Sequence, residues 1–118
     1  MSPQSDTSAE DDAETLTAGI ITIHTKHWLV SVSGVVVDLT YLEYLLLKAL
    51  VVERGKVISR DALLERVWRY GNVSLLETRK VDVHVGRLRK KLGEAGDLII
   101  TVRNVGYRMA FSPEWITR

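Results

Sequence analysis

The chain has 118 residues, no cysteine and a net charge of +1. That length fits one domain with one core and leaves no room for a large enclosed pocket. Without cysteine there are no disulfides and no thiolate metal sites, a composition compatible with a reducing cytosol. No apolar run approaches the ~20 residues that span a bilayer, and no secretory signal pattern opens the chain.

The small net charge hides an asymmetry. Residues 1–18 hold Asp6, Glu10, Asp11, Asp12 and Glu14 and no Lys or Arg, which leaves the remainder at +6. An acidic leader joined to a basic body is read by segment, not by total. Residues 1–18 are rich in Ser, Thr, Asp, Glu and Ala and carry no aromatic side chain. Such a composition buries too little apolar surface to offset ordering, so a disordered leader or linker is expected there. An acidic mimic of DNA competing for the basic body is the sharper alternative. The folded domain is expected over residues 19–118, and its basic excess is the footprint of a nucleic-acid binder.

From Ile20 to Asp38 the β-branched residues alternate with polar ones (Ile21 and Ile23, Val30 and Val32), with a turn signal at Ser33-Gly34. This pattern predicts a small antiparallel meander of three or four short strands. Thr40-Tyr41-Leu42-Glu43 is a capping box, in which Thr40 accepts from the Glu43 N–H and the Glu43 carboxylate returns to the Thr40 N–H. The helix it opens runs to about Arg54 and is apolar nearly all round (Leu42, Leu45, Leu46, Ala49, Leu50), which predicts a buried central post. Gly55 stands where a left-handed residue commonly ends a helix. Val57-Ile58 reads as a short bridging strand. Ser59 caps a second helix to about Trp68, with apolar pairs Leu63/Val67 and Leu64/Trp68. Arg69 to Thr78 reads as a loop, broken at Gly71-Asn72.

The third helix is expected from about Thr78 to Leu92, stopping at Gly93. At 100° per residue, Val81, Val85, Leu88 and Leu92 form one narrow apolar stripe facing the core. The opposite face carries Arg79, Val83, Arg87 and Lys90, flanked by Lys80, His84 and Lys91, and Asp82 is the sole acid between Arg79 and Lys91. A merely solvated face tends to mix charge signs. Val83 outward among cations gains nothing from water, but an apolar side chain can meet a thymine methyl in a major groove. The planar fork of Arg87, central on this face, matches guanine O6 and N7. Arg79, Lys80, His84, Lys90 and Lys91 suit phosphates, which fix register without reading sequence. Ile99-Ile100-Thr101-Val102 and Tyr107-Arg108-Met109 are strand-like, joined by a turn whose Asn104 and Gly106 suit positive φ. Arg103 at that hairpin tip can enter a minor groove.

An enzyme reading finds little support. His24 and His27 lie on strand-like sequence at a spacing that favours opposite faces, with no third ligand near. No glycine-rich phosphate loop follows a strand, and no nucleophile–base set is visible. No catalytic residue, metal, cofactor or small-molecule ligand is therefore expected. Trp28, Trp68 and Trp115 read as core or core-edge residues. The competing reading is a protein-interaction module that contacts RNA polymerase or another regulator with little direct DNA readout.

The sequence resembles the OmpR/PhoB family of winged-helix effector domains from bacterial two-component response regulators. Four linked segments carry the likeness: Leu39 to Leu46, Val57 to Trp68, Arg79 to Leu92 and Ile100 to Arg108, together spanning about residues 19–111. The resemblance implies an α+β winged helix-turn-helix with an N-terminal antiparallel sheet, three helices and a C-terminal β-hairpin wing. It implies transcription regulation in the bacterial cytoplasm, with the third helix in the major groove of double-stranded DNA and the wing at the minor groove. It places Trp68, Arg79, His84 and Arg89 at the DNA backbone and Thr101 and Arg103 in the wing. It assigns the loop Arg69, Tyr70, Gly71, Asn72, Val73, Ser74, Leu75, Leu76, Glu77 and Thr78 to contact with RNA polymerase. Head-to-tail dimers on direct repeats are the family habit.

Three departures stand out. Gly86 occupies a position where the family often has Arg or another long side chain, at roughly 1 kcal/mol of helix propensity against Ala. Asn104 stands where Gly is usual and tolerates the same backbone region. The phosphorylatable receiver that precedes this domain in the family is not in the sequence. Either an excised effector domain or a free-standing regulator is consistent with that, and the linker-like leader favours the first.

Overall fold

The computed structural model describes residues 15–69 and 75–111, with only the backbone described at Leu75 and Leu76. Strands β1 (Thr15–Ala18), β2 (Ile21–His24), β3 (Leu29–Val32) and β4 (Val35–Val37) form an antiparallel meander in spatial order β1-β2-β3-β4. Because alternate side chains share a face, the register makes two apolar rows across the sheet. One runs Leu16, Ile23, Val30, Val37 and the other Ala18, Ile21, Val32, Val35. Ala18, Ile21, Ile23, Val30 and Val32 are buried. Ser33 and Gly34 both have positive φ (50° and 84°), the geometry a two-residue hairpin turn needs to match strand twist.

Two expectations are corrected here. The ordered domain begins before residue 19, because Thr15–Ala18 is a paired strand. Its apolar residues Leu16 and Ala18 find partners in Ile23 and Ile21, contacts that local composition does not register. The remainder of the expected leader, residues 1–14, lies outside the described residues. Trp28 is not a core residue. It sits in the β2–β3 turn with φ 54°, is 65% exposed, and packs its ring 5.1 Å from that of Tyr41. Trp115 lies outside the described residues.

Helix α1 (Tyr41–Val52) starts at the expected capping box. The Glu43 N–H donates to Thr40 Oγ1 at 3.2 Å, and the Thr40 N–H donates to Glu43 Oε1 at 2.9 Å. The helix packs against β1, the second helix, the third helix and the C-terminal hairpin. Leu46, Leu47 and Leu50 are fully buried, whereas Leu42 and Leu45 are only partly so. Gly55 has φ 89° just beyond its end.

Strand β5 (Ile58–Ser59) leads directly into α2 (Arg60–Leu63), whose N-terminus is capped by Ser59 Oγ accepting from the Ala62 N–H at 3.1 Å. From Leu64 to Trp68 the helix widens into a π turn, closed by the Arg69 N–H donating to Leu64 O at 3.0 Å. A regular helix to Trp68 was the expectation. The wide turn carries one extra residue and stops at Arg69, which is left-handed with φ 64°.

Helix α3 (Leu75–Leu92) begins three residues before the expected Thr78. Leu75 to Thr78, expected in the loop, are therefore helical, and Thr78 is buried. Residues 70–74 of that loop lie outside the described residues. A 3₁₀ segment (Gly93–Leu98) follows and then the hairpin β6 (Ile99–Val102) and β7 (Gly106–Met109). β5 joins this hairpin in the order β5-β7-β6. Gly106 is required there. A Cβ at 106 would lie 2.0 Å from Ile58 O, so only glycine lets β7 approach β5 this closely. Asn104 has φ 68°, the left-handed conformation anticipated for the hairpin turn, whereas Gly106, also expected to be left-handed, does not have positive φ.

Candidate nucleic-acid interface

The two faces of α3 separate as the helical period predicts. Val81, Val85, Leu88 and Leu92 are between 0% and 2% exposed and form part of the core. Arg79, Lys80, Val83, Arg87, Lys90 and Lys91 are exposed on the other side. Val83 is 50% exposed, so an apolar side chain does stand in water among cations. Among the described residues Arg79, Arg87, Lys90 and Arg103 enter no ion pair, which leaves their charge for a partner. Lys80 lies 3.3 Å from Glu77 on the same helix.

The helix is held near its C-terminus and at its middle. Near its C-terminus, Lys91 Nζ donates to Glu43 Oε1 at 2.7 Å. Burial raises the Glu43 carboxyl, but the bonds from Lys91 and from Thr40 outweigh it and hold the group below the usual carboxylate range. Farther toward the N-terminus, His84 Nδ1 lies 2.9 Å from Lys80 O. A carbonyl only accepts, so Nδ1 carries the hydrogen. The imidazole meets the Trp68 ring edge-on at 5.0 Å. Both rings are half-buried, and Trp68 reaches this position from the end of the π turn.

Arg89, which the resemblance places at the DNA backbone, and Thr101 of the wing are also engaged within the protein. Arg89 Nε and Nη2 donate to Ile99 O at 3.2 and 2.6 Å, and Nη2 also donates to Thr101 Oγ1 at 2.9 Å. The fork of Arg89 thus ties α3 to β6. Arg103 is exposed at the β6–β7 turn.

Sequence reasoning missed one cluster. Asp82 Oδ1 accepts from Arg60 Nε at 2.8 Å and from Tyr107 OH at 2.5 Å. The bond to Asp82 raises the Arg60 guanidinium further above its ordinary value. Burial, followed by the same carboxylate, pushes up the Tyr107 phenol. A single acid within a cationic run was the available signal. Its partners, 22 and 25 residues away, were beyond the reach of local pattern.

A helix-turn-helix backed by a meander and closed by a strand hairpin is a winged helix. The family model described as "Transcriptional regulatory protein, C terminal" matches residues 34–109. The chain belongs to this family, the effector domains of OmpR/PhoB-type response regulators. It is 48% identical over 107 residues to the transcriptional regulatory protein CseB of Streptomyces avermitilis, a match covering 91% of this chain and 43% of that protein. The chain thus spans less than half the length of this curated relative. Among solved structures it is similar to the RstA DNA-binding domain of Klebsiella pneumoniae in complex with RstA box, with TM-score 0.72 and 36% identity over 82% of this chain and 97% of that one. It is also similar to the DNA-binding domain of the response regulator AdeR in complex with an intercistronic region, with TM-score 0.69 and 33% identity over 81% of this chain and 99% of that one. No helix among the described residues is long and apolar enough to cross a membrane.

Proposed function

We propose that this chain binds duplex DNA sequence-specifically and regulates transcription as the output domain of a bacterial phosphorelay response regulator, acting in the cytoplasm by binding rather than by catalysis. α3 enters the major groove and the β6–β7 hairpin reaches the minor groove. The observation that carries this reading is the outward face of α3, where half-exposed Val83 stands among cations and Arg87 enters no ion pair among the described residues. In the proposal Arg87 reads guanine and Val83 a thymine methyl. Arg79, Lys80, His84, Lys90 and Lys91 hold phosphates, with Trp68 supporting His84 from behind. Arg89 and Thr101 serve the backbone contact through the wing, and Arg103 enters the minor groove. That the similar RstA and AdeR domains are found in complex with DNA supports DNA binding by this chain.

Two further partners follow from family membership. The segment from Arg69 to Thr78 contacts RNA polymerase, and two copies bind direct repeats head to tail.

Selection of bound sites from a random duplex library, followed by a salt titration on the selected site, tests the reading. One enriched motif and a log K that falls by about 0.9 per neutralised phosphate for each decade of salt are expected. No enrichment together with a flat salt plot would overturn it in favour of a protein-interaction module.

A further inference from the structure

Tyr107 is where three parts of the domain converge. Two guanidinium groups stand over its ring, with Arg60 Cζ 5.3 Å and Arg89 Cζ 5.7 Å from the centroid. Its hydroxyl donates to Asp82, which also holds Arg60. Arg60 opens α2, Asp82 and Arg89 lie on α3, and Tyr107 belongs to β7. Arg89 continues the chain of bonds to Ile99 and Thr101 on β6. Tyr107 itself is 4% exposed, too buried to meet a nucleic acid.

We infer that Asp82 and Tyr107 are positioning residues for the wing: they fix the angle of the β6–β7 hairpin to α3 and so place Arg103 relative to the groove that α3 occupies. This rests on the proposed reading of the hairpin as a minor-groove probe. A hairpin this short is not held by its own ladder; a two-stranded ribbon is marginal alone in water. β5 fixes one edge of it through backbone pairing, but pairing to a two-residue strand leaves the ribbon free to pivot. The Asp82–Tyr107 bond and the Arg89 fork remove that freedom from the side facing α3. Asp82 is an acid on the flank of the cationic face, close enough to phosphate that electrostatics alone would penalise it. Its pairing with Arg60 offsets the charge, and its bond to Tyr107 gives the reason for its presence.

The test is a double-mutant cycle on a selected duplex, with the full chain and with thermal unfolding recorded for every variant. Tyr107→Phe keeps the ring beside the two arginines and removes the bond to Asp82. It is expected to weaken binding by roughly three- to tenfold in the native background, about the net worth of one ordinary hydrogen bond, since the bond acts on the duplex only through the wing. In an Arg103→Ala background the same change is expected to have almost no effect, because coupled residues are non-additive. An equal loss in both backgrounds, or none in either, overturns the inference. Asp82→Ala supplies an independent sign. Removal of a negative charge beside DNA predicts tighter binding, whereas loss of the wing's anchor predicts weaker binding, and tighter binding overturns the inference. If Arg103→Ala alone leaves affinity unchanged, the minor-groove reading fails and takes this inference with it.

Discussion

Lys91 Nζ and Glu43 Oε1, 2.7 Å apart, join the last turn of α3 to the first turn of α1. The same carboxylate oxygen closes the capping box by accepting from the Thr40 N–H. One acid therefore starts the central helix and anchors the helix proposed to enter DNA.

That shared role makes stability acid-sensitive. The Glu43 carboxyl is held below its ordinary value in the folded state. A depressed acid contributes stability that is fully present above its unfolded pKa and is lost as pH falls through the folded one. Denaturant midpoints measured from neutral pH down to about pH 3 should fall, and Glu43→Gln should flatten that decline while lowering the midpoint at neutral pH. An unchanged acid slope in the variant would remove Glu43 from this role.

Arg87→Ala is expected to cost about 1–3 kcal/mol of binding to the selected site and to relax base preference at one position. Binding to a panel of single-base variants checks this. A uniform loss across all sequences would make Arg87 a phosphate contact.

Lys90→Ala should weaken binding evenly across sequences and reduce the slope of log K against log salt by about one. Lys90 is exposed and enters no ion pair among the described residues, so no internal rearrangement should mask the change. The salt titration itself is the measurement.

Gly86 is exposed on α3, and a Cβ there would meet no heavy atom within 4 Å. Gly86→Ala is therefore expected to stabilise the domain by about 0.5–1 kcal/mol, the helical penalty of glycine. If affinity drops as thermal stability rises, the backbone at 86 approaches the duplex closely. If affinity holds, the position lies clear of it.

The features legible in the sequence are those written in short-range pattern. The capping box at Thr40, the stripe from Val81 to Leu92, the Ser33-Gly34 turn and the left-handed Asn104 each depend on residues within a few positions of one another. Trp28 was misplaced because its apolar bulk suggested a core position, whereas the tight turn that holds it carries its ring outward onto Tyr41. The first strand is hidden from local pattern because its partners lie across a turn and its neighbours are acidic. Arg79, Val83 and Arg87 were placed on the exposed face by periodicity alone. Arg89 was not resolved in this way, since its bonds run to Ile99 and Thr101 across the 3₁₀ segment.

The π turn at Leu64–Trp68 makes this segment sensitive to its length. A bulge of this kind accommodates one surplus residue, so a single deletion within it would restore ordinary helical winding. Winding advances about 100° per residue, and everything beyond the deletion would rotate by that amount. The indole of Trp68 would swing off His84, and the chain would leave for α3 in another direction. A one-residue deletion in this short segment is therefore expected to disturb the placement of α3 more than a substitution there, because it separates Trp68 from His84.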